Sequence, residues 1–152
     1  MTEFPPEIMT KMERFCAWQE RCENDVRRKL ASFSLSDGQQ DAIVKMLREN
    51  RFLDDERYVE SFVRSKVKAS WGKQKIVAAL RAKRISPVLV ERYSARIPAA
   101  DYQEQLRSAI EKWQRQHPDV ARAREKLIRH LLSKGYGIDE IMTQLKCSNN
   151  NE

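Results

Sequence analysis

Residues 48–85 read RENRFLDDERYVESFVRSKVKASWGKQKIVAALRAKRI, and the fold can be deduced outward from this stretch. Its apolar side chains recur at intervals of three and four residues, first through Val59 and Val63 and then through Ile76 and Leu80. That spacing places each set on one face of a helix. A single glycine separates the two sets, so the stretch predicts two consecutive helices joined by a tight turn.

The same helical periodicity continues on both sides of this stretch, and no segment shows the strict alternation that is typical of a strand. Only 4 glycines and 5 prolines occur in 152 residues, which favours long helices over many short strands. Helix starts are indicated by capping boxes at residues 10–13 and 36–39, and by Pro87, Pro98 and Pro118 as first-turn residues. We predict nine helices, over residues 7–18, 22–33, 37–49, 54–69, 73–84, 87–96, 98–116, 119–134 and 137–146.

Three leucines, Leu30, Leu80 and Leu131, recur about every 50 residues at the same place in a helical pattern. A repeat of that length indicates a stacked array of supersecondary units, and nine helices divide into three units of three. The predicted fold class is therefore all-α, with three tandem three-helix repeats. The repeats and a frayed polar tail are placed at residues 1–50, 51–97, 98–147 and 148–152.

The formal net charge of +7 resides in the middle repeat. Residues 51–100 hold 12 basic and 5 acidic side chains, whereas the first 50 residues sum to −1 and the last 52 sum to +1. Cations without an interleaved acid are suited to DNA phosphates or to an acidic protein surface, although a solvated helix face is the structural alternative. The predicted filament- or DNA-binding residues are Arg64, Lys66, Lys68, Lys73, Lys75, Arg81, Lys83 and Arg84.

No segment carries the residues that an enzyme or a metal site requires. Cys16, Cys22 and Cys147 form no CxxC pair, and neither histidine stands at zinc-ligand spacing from them. Glycine-rich phosphate loops and the GxSxG motif are absent from the sequence. The cysteine count is odd, no secretory signal is visible, and no apolar run approaches the ~18–20 residues that span a bilayer. These features favour a cytoplasmic protein with reduced thiols. We expect no catalytic residue, no cofactor, no metal and no membrane contact.

Three local motifs have both a functional and a structural interpretation. Asp54, Asp55 and Glu56 could be metal ligands, but consecutive helical residues point about 100° apart, so an N-cap with acids in the first turn is expected. Residues 117–119, His-Pro-Asp, match the HPD tripeptide of J-domain co-chaperones, but a helix start at Asp119 beside Pro118 is the expected explanation. Trp71 could stack on a nucleic acid base, whereas packing against the next helix is its expected role.

Taken together, the elements of residues 48–85 resemble the RecX family of recombinase regulators. That family has a turn with leucine and paired aspartates, an aromatic helix ending in basic residues, a glycine turn, and an Ile-x-x-x-Leu helix closing on a Lys-Gly corner. The matching residues, expected to be structural, are Leu53, Asp54, Asp55, Tyr58, Val59, Phe62, Gly72, Ile76 and Leu80.

This sequence departs from the family pattern at three places. Asn50 stands where glycine is usual, residues 73–74 replace Pro-x, and Arg84 replaces the corner glycine. Asparagine tolerates the left-handed conformation, so Asn50 is a mild change. Arg84 tolerates it less well, and we expect the end of that helix to be shaped differently.

The resemblance implies a curved, elongated body of three tandem three-helix repeats. It also implies a non-enzymatic protein of DNA repair and the SOS response, which binds RecA or the filament that RecA forms on single-stranded DNA. Binding would inhibit the recombinase, ATPase and co-protease activities of RecA. A repeat array with polar ends needs no partner chain to fold, so a monomer is expected. The alternative function is a plain nucleic-acid-binding helical module that uses the same basic repeat.

Overall fold

A computed structural model describes residues 3–149, which form nine α-helices and no strand. The all-α prediction is therefore confirmed for this part of the chain. We call α1–α3 the first unit, α4–α6 the second unit and α7–α9 the third unit. The helices are α1 (Pro6–Trp18), α2 (Glu23–Leu30), α3 (Asp37–Glu49), α4 (Asp55–Lys68), α5 (Lys73–Ala82), α6 (Pro87–Ala95), α7 (Ala99–Gln116), α8 (Ala123–Ser133) and α9 (Ile138–Asn149).

Some helix starts follow the local capping signals and others do not: α7 begins at Ala99, so Pro98 is not in its first turn, and Pro118 precedes the start of α8 by five residues. Ser36 Oγ accepts the backbone N–H of Gln39, and the Gln39 side chain accepts the N–H of Ser36, so the second capping box is confirmed. Pro87 opens α6 as predicted. The capping box at residues 10–13 is wrong, because α1 already begins at Pro6 and the Thr10 hydroxyl donates within the helix to the Pro6 carbonyl oxygen.

The eighth helix begins four residues later than predicted, at Ala123. Asp119 and Arg122 have left-handed φ values of 57° and 56°, which an α-helix of L-residues does not accommodate. Asp119 is thus not a helix start. The His117 ring stacks on Trp113 at 4.3 Å, and its Nδ1 lies 2.9 Å from the Trp113 carbonyl oxygen, which gives His117 a structural role at the end of α7.

Helices α3, α4, α5 and α8 are each followed by a residue in the left-handed conformation. Gly135 has φ 97°, and Tyr136 N–H donates to the Leu131 carbonyl oxygen, as in a Schellman cap. Arg84 adopts φ 58° with the same hydrogen bond from Ile85 to Leu80, so the expectation of a differently shaped helix end is wrong. After α3 the left-handed residue is Arg51 (φ 63°) rather than Asn50, whose φ is −88°.

The buried side chains form two cores. Leu30, Leu80 and Leu131 are each fully buried, as the repeat predicts. The first unit has a core of its own, which includes Leu30. A second core runs without interruption through the second and third units, where α4 contacts α7, and it includes Leu80 and Leu131. The proposed repeat boundaries at residues 50 and 97 remain a prediction, and most of the tail at 148–152 lies outside the described residues.

The second and third units meet at two glycines. Gly72 N–H donates to the Lys134 carbonyl oxygen at 2.8 Å, and Gln74 N–H donates to the Gly135 carbonyl oxygen at 3.1 Å. A Cβ atom on Gly72 would lie 2.1 Å from the backbone carbon of Gly135. Backbones can approach this closely only without a side chain, which is the physical reason for glycine here.

The first and second units are joined by polar contacts. Asp55 accepts the backbone N–H of Glu23, at the start of α2, at 2.9 Å. Arg48 of α3 pairs with the Glu23 carboxylate at 2.7 Å and with the Asp55 carboxylate at 3.6 Å. Hydrogen bonds from Arg48 and Arg27 outweigh burial and lower the pKa of Glu23. These contacts fix α2 against the start of α4.

Candidate binding surface

The turn between α4 and α5 holds an aromatic side chain among basic residues. α4 ends where Ser70 adopts a left-handed φ of 61°, and Gly72 caps the start of α5. Trp71 is half-buried between them and packs edge-on against Phe62, with ring centres 6.2 Å apart. Its partner therefore lies on the preceding helix, whereas the sequence pattern predicts packing on the next one.

Three of the predicted cations surround this turn. Lys66 Nζ lies 4.5 Å and Lys75 Nζ 4.1 Å from the centre of the Trp71 ring. Lys73 Nζ lies 5.0 Å from the Tyr102 ring of α7. Aromatic faces attract ammonium groups without neutralising them. Within residues 3–147, the lysines that form ion pairs are Lys45 and Lys83, so these three charges stay uncompensated by a carboxylate.

Docking of the third unit adds a cation that the sequence analysis missed. Lys134, at the end of α8, directs its Nζ to the Ala69 carbonyl oxygen at 3.5 Å. Burial and the positive charges of Lys75 and Lys112 lower the pKa of Lys134. No local pattern around Lys134 could indicate this position, because the contact between Gly72 and Gly135 creates it.

Lys83 does not belong to an uncompensated surface. It is only half-exposed, and its Nζ forms an ion pair with the Asp25 carboxylate of α2, 58 residues earlier in the chain. The inference that an acid-free stretch of sequence leaves its cations unpaired is wrong at this residue. It is also wrong at Arg64, which pairs with Glu60 on the same helix at 2.9 Å.

The remaining predicted cations are exposed, and of these only Lys68, the last residue of α4, adjoins the turn. Arg64 and Lys68 are solvent-exposed one turn apart on α4, and they line a cleft of about 610 Å³ between α4, α6 and α7. Arg81 and Arg84 are exposed at the far end of α5, about 15 Å from its start for a helix of this length. The structure therefore gathers part of the predicted site into one surface. We call it the α4–α5 basic surface, and it consists of Lys66, Lys68, Lys73, Lys75 and Lys134.

The paired aspartates have structural partners. Asp54 caps α4, since its carboxylate accepts the backbone N–H of Arg57 at 3.1 Å, as predicted. Asp55 makes the contact with α2 described above. Phe62 is half-buried against the core, and the other matching side chains are buried: Leu53, Tyr58, Val59, Ile76 and Leu80.

Other kinds of site find no support in the part of the chain that the structure describes. No group of three or more His, Cys, Asp or Glu side chains there could hold a metal ion. Cys16, Cys22 and Cys147 are unpaired. None of the described helices combines the length and the apolar character needed to cross a membrane.

The ion pair of Lys83 gives a first testable prediction. Lys83→Gln should lower the free energy of unfolding by about 1–2 kcal/mol at pH 7, because the Asp25 side chain, 11% exposed, would lose its charged partner. Lys45→Gln, which removes an exposed lysine 4.0 Å from Glu49, should change it by less than about 0.5 kcal/mol. Urea unfolding of both variants measures the difference.

The effect of Lys83→Gln should depend on pH. Burial raises the pKa of Asp25, but hydrogen bonds from Lys83 and the Cys22 backbone outweigh it and hold the pKa below its ordinary value of 3.8. A carboxyl with a lowered pKa stabilises the fold above its unfolded pKa, and this contribution is lost as the pH falls through the folded pKa. The difference between the wild type and the variant should therefore shrink below about pH 4. A difference that is the same at pH 7 and pH 3 would contradict the assignment.

Comparisons with known proteins identify the family. The model of the second three-helix domain of RecX matches residues 54–93, and that of the third three-helix domain matches residues 100–145. The regulatory protein RecX of Ectopseudomonas mendocina is 32% identical over 121 residues, covering 77% of this chain and 78% of the relative. The regulatory protein RecX of Clostridium botulinum (strain Eklund 17B / Type B) is 32% identical over 133 residues, covering 83% of this chain. The chain spans only 61% of the length of that clostridial relative.

Solved structures agree on the fold. A crystal structure of regulatory protein RecX superimposes with a TM-score of 0.82 at 22% identity, covering 93% of this chain and 72% of that one. The crystal structure of RecX from Lactobacillus salivarius gives a TM-score of 0.76 at 21% identity, covering 93% and 97%. At these identities the likeness concerns the fold. With the family models and the relatives, it leads to one conclusion: the chain belongs to the RecX family of regulatory proteins.

Proposed function

We propose that this chain is a non-enzymatic regulator that binds RecA, or the filament of RecA on single-stranded DNA, and inhibits its recombinase, ATPase and co-protease activities. The α4–α5 basic surface is the proposed contact. The observation that supports it is the set of lysines around Trp71 and Tyr102, whose charges no carboxylate pairs with in residues 3–147. DNA phosphates or acidic side chains of the recombinase would compensate these charges.

Charge reversal tests the contact. The variant K66E/K68E/K73E/K75E should bind the assembled filament at least about thirtyfold more weakly, since four lost contacts of about 0.5–1 kcal/mol each amount to that factor or more. The salt dependence of binding should flatten, because fewer counterions are released. Suppression of the filament ATPase should fall in parallel. Fluorescence anisotropy with labelled protein and an ATPase assay measure both effects.

A matched control removes the same net charge elsewhere. R115E/R124E/K126E/K146E changes four exposed cations at the end of the third unit where α7 and α9 finish and α8 begins. Long-range steering changes to the same extent in both variants, so only a local contact distinguishes them. Both proteins must retain native helical circular dichroism. Equal losses of binding in the two variants would show that the α4–α5 basic surface is not the site.

The alternative function, a plain nucleic-acid-binding module, rests on the same cations. The two functions differ in which ligand the protein binds more tightly. A filament regulator should bind recombinase-coated single-stranded DNA more tightly than the same oligonucleotide without recombinase. The opposite order of affinities would favour the alternative and contradict the filament proposal.

A further inference from the structure

A second basic and aromatic surface lies in the first unit, far in sequence from the α4–α5 basic surface. An open groove of about 720 Å³ runs between α1 and α2, and no carboxylate lines it. On α1, Lys11, Arg14 and Trp18 follow one another at intervals of three and four positions, which places them on one helix face. We call this the α1–α2 groove, and its charged and aromatic residues are Lys11, Arg14, Phe15, Trp18, Lys29 and Phe33.

The cations of this groove are uncompensated although the first unit is slightly acidic as a whole. No ion pair within residues 3–147 includes Lys11, Arg14 or Lys29. Five of the nine acids of this unit form ion pairs outside the groove, with Lys45, Arg27, Arg48, Arg57 and Lys83. These five acids are Glu20, Glu23, Asp25, Asp41 and Glu49. The net charge of −1 therefore conceals a positively charged face.

The aromatic residues of the groove lie beside these cations. Trp18, the last residue of α1, is 80% exposed, an unusual state for so large an apolar side chain. The Arg21 guanidinium lies 3.9 Å from the centre of the Phe15 ring and 5.6 Å from that of Trp18. Lys29 Nζ lies 5.9 Å from the Phe15 ring, and Lys11 Nζ 5.6 Å from that of Phe33. A guanidinium therefore lies beside the exposed indole, and lysines lie beside the neighbouring phenyl rings.

We infer that the α1–α2 groove binds single-stranded nucleic acid, with a base stacked on Trp18 and backbone phosphates at Lys11, Arg14 and Lys29. An open indole among unpaired cations provides both interactions that an unpaired strand offers, a π-face and a regular row of phosphates. An acidic peptide would use the cations but would leave the indole face without a planar partner. The assignment is independent of the proposed recombinase contact, and its test contains no recombinase.

The experiment measures binding of a fluorescently labelled oligothymidylate of about 12–16 nucleotides, a length in the range of known single-strand sites. The host protein is K66E/K68E/K73E/K75E, so that the α4–α5 basic surface does not contribute. In this background Trp18→Ala should weaken binding about fivefold or more, as expected for the loss of one stacked base. Adding the oligonucleotide should quench tryptophan emission in the host protein but not in its Trp18→Ala variant. Trp18→Phe should restore most of the affinity.

A second experiment neutralises the cations of the groove. K11Q/R14Q/K29Q should weaken binding and should reduce the slope of log affinity against log salt by about two, at ~0.7 per phosphate contact on a single strand. R115Q/R124Q/K126Q, which removes the same charge from the third unit, should leave that slope within about 0.5 of its original value. All these positions are exposed, so folding is not at risk. The inference is overturned if Trp18→Ala binds like its parent, or if a polyglutamate of equal charge binds as tightly as the oligonucleotide.

Discussion

Gly72→Ala is expected to lower the free energy of unfolding by about 3 kcal/mol, at the upper end of the range for overpacking. The added Cβ would meet only backbone atoms, at 2.1 Å from Gly135 C and 2.2 Å from both Gly135 O and Tyr136 N. A flexible side chain can move away, but two backbones that exchange hydrogen bonds can separate only by breaking them. The substitution should therefore loosen the contact between the second and third units.

Gly137→Ala is the matched control for this prediction. Its added Cβ would meet the Glu140 carboxylate at 3.2 Å and the Gln74 amide at 3.7 Å, and both are ends of flexible side chains. We expect a change below about 1 kcal/mol. Urea unfolding followed by circular dichroism measures both variants. Equal effects of the two substitutions would contradict the close backbone contact.

Leu80→Ala is expected to lower the free energy of unfolding by about 2–5 kcal/mol, the range for truncating a core leucine. Leu80 is fully buried in the core that the second and third units share, so the cavity would lie where both units depend on packing. Truncating a side chain that is already exposed to water removes less buried apolar area and therefore costs less stability. Leu132, 45% exposed, is the control, and Leu132→Ala should change the free energy of unfolding by less than about 1 kcal/mol. A loss below about 0.5 kcal/mol for Leu80→Ala would refute the helix phase on which the fold prediction rests.

The helices could be predicted because their causes are local. Apolar residues at intervals of three and four, a capping serine such as Ser36 and a first-turn proline such as Pro87 act within a single helix. The predicted helix boundaries were wrong where a neighbouring residue could begin or end the helix equally well. At α8 the chain uses two left-handed residues before the helix begins, and at the end of α3 Arg51 rather than Asn50 takes that conformation.

The candidate site could be predicted only in part, because charge compensation acts through space. The sequence shows that residues 61–90 contain no acid, but Asp25 reaches Lys83 from another unit. The net charge of the first unit is nearly neutral, whereas none of its carboxylates lines the α1–α2 groove, which is left positive. Lys134 joins the α4–α5 basic surface only because the third unit docks on the second.

The sequence by itself determined the all-α class, the nine helical segments and the three buried leucines, since apolar periodicity over ten or more residues leaves one face to bury. Only the tertiary structure decided which cations remain unpaired. Helix docking is set by close backbone contacts such as Gly72 on Gly135, and these bring together charges that are tens of residues apart. An ion pair depends on distance between side chains, which the linear spacing of residues specifies within a helix but not between helices.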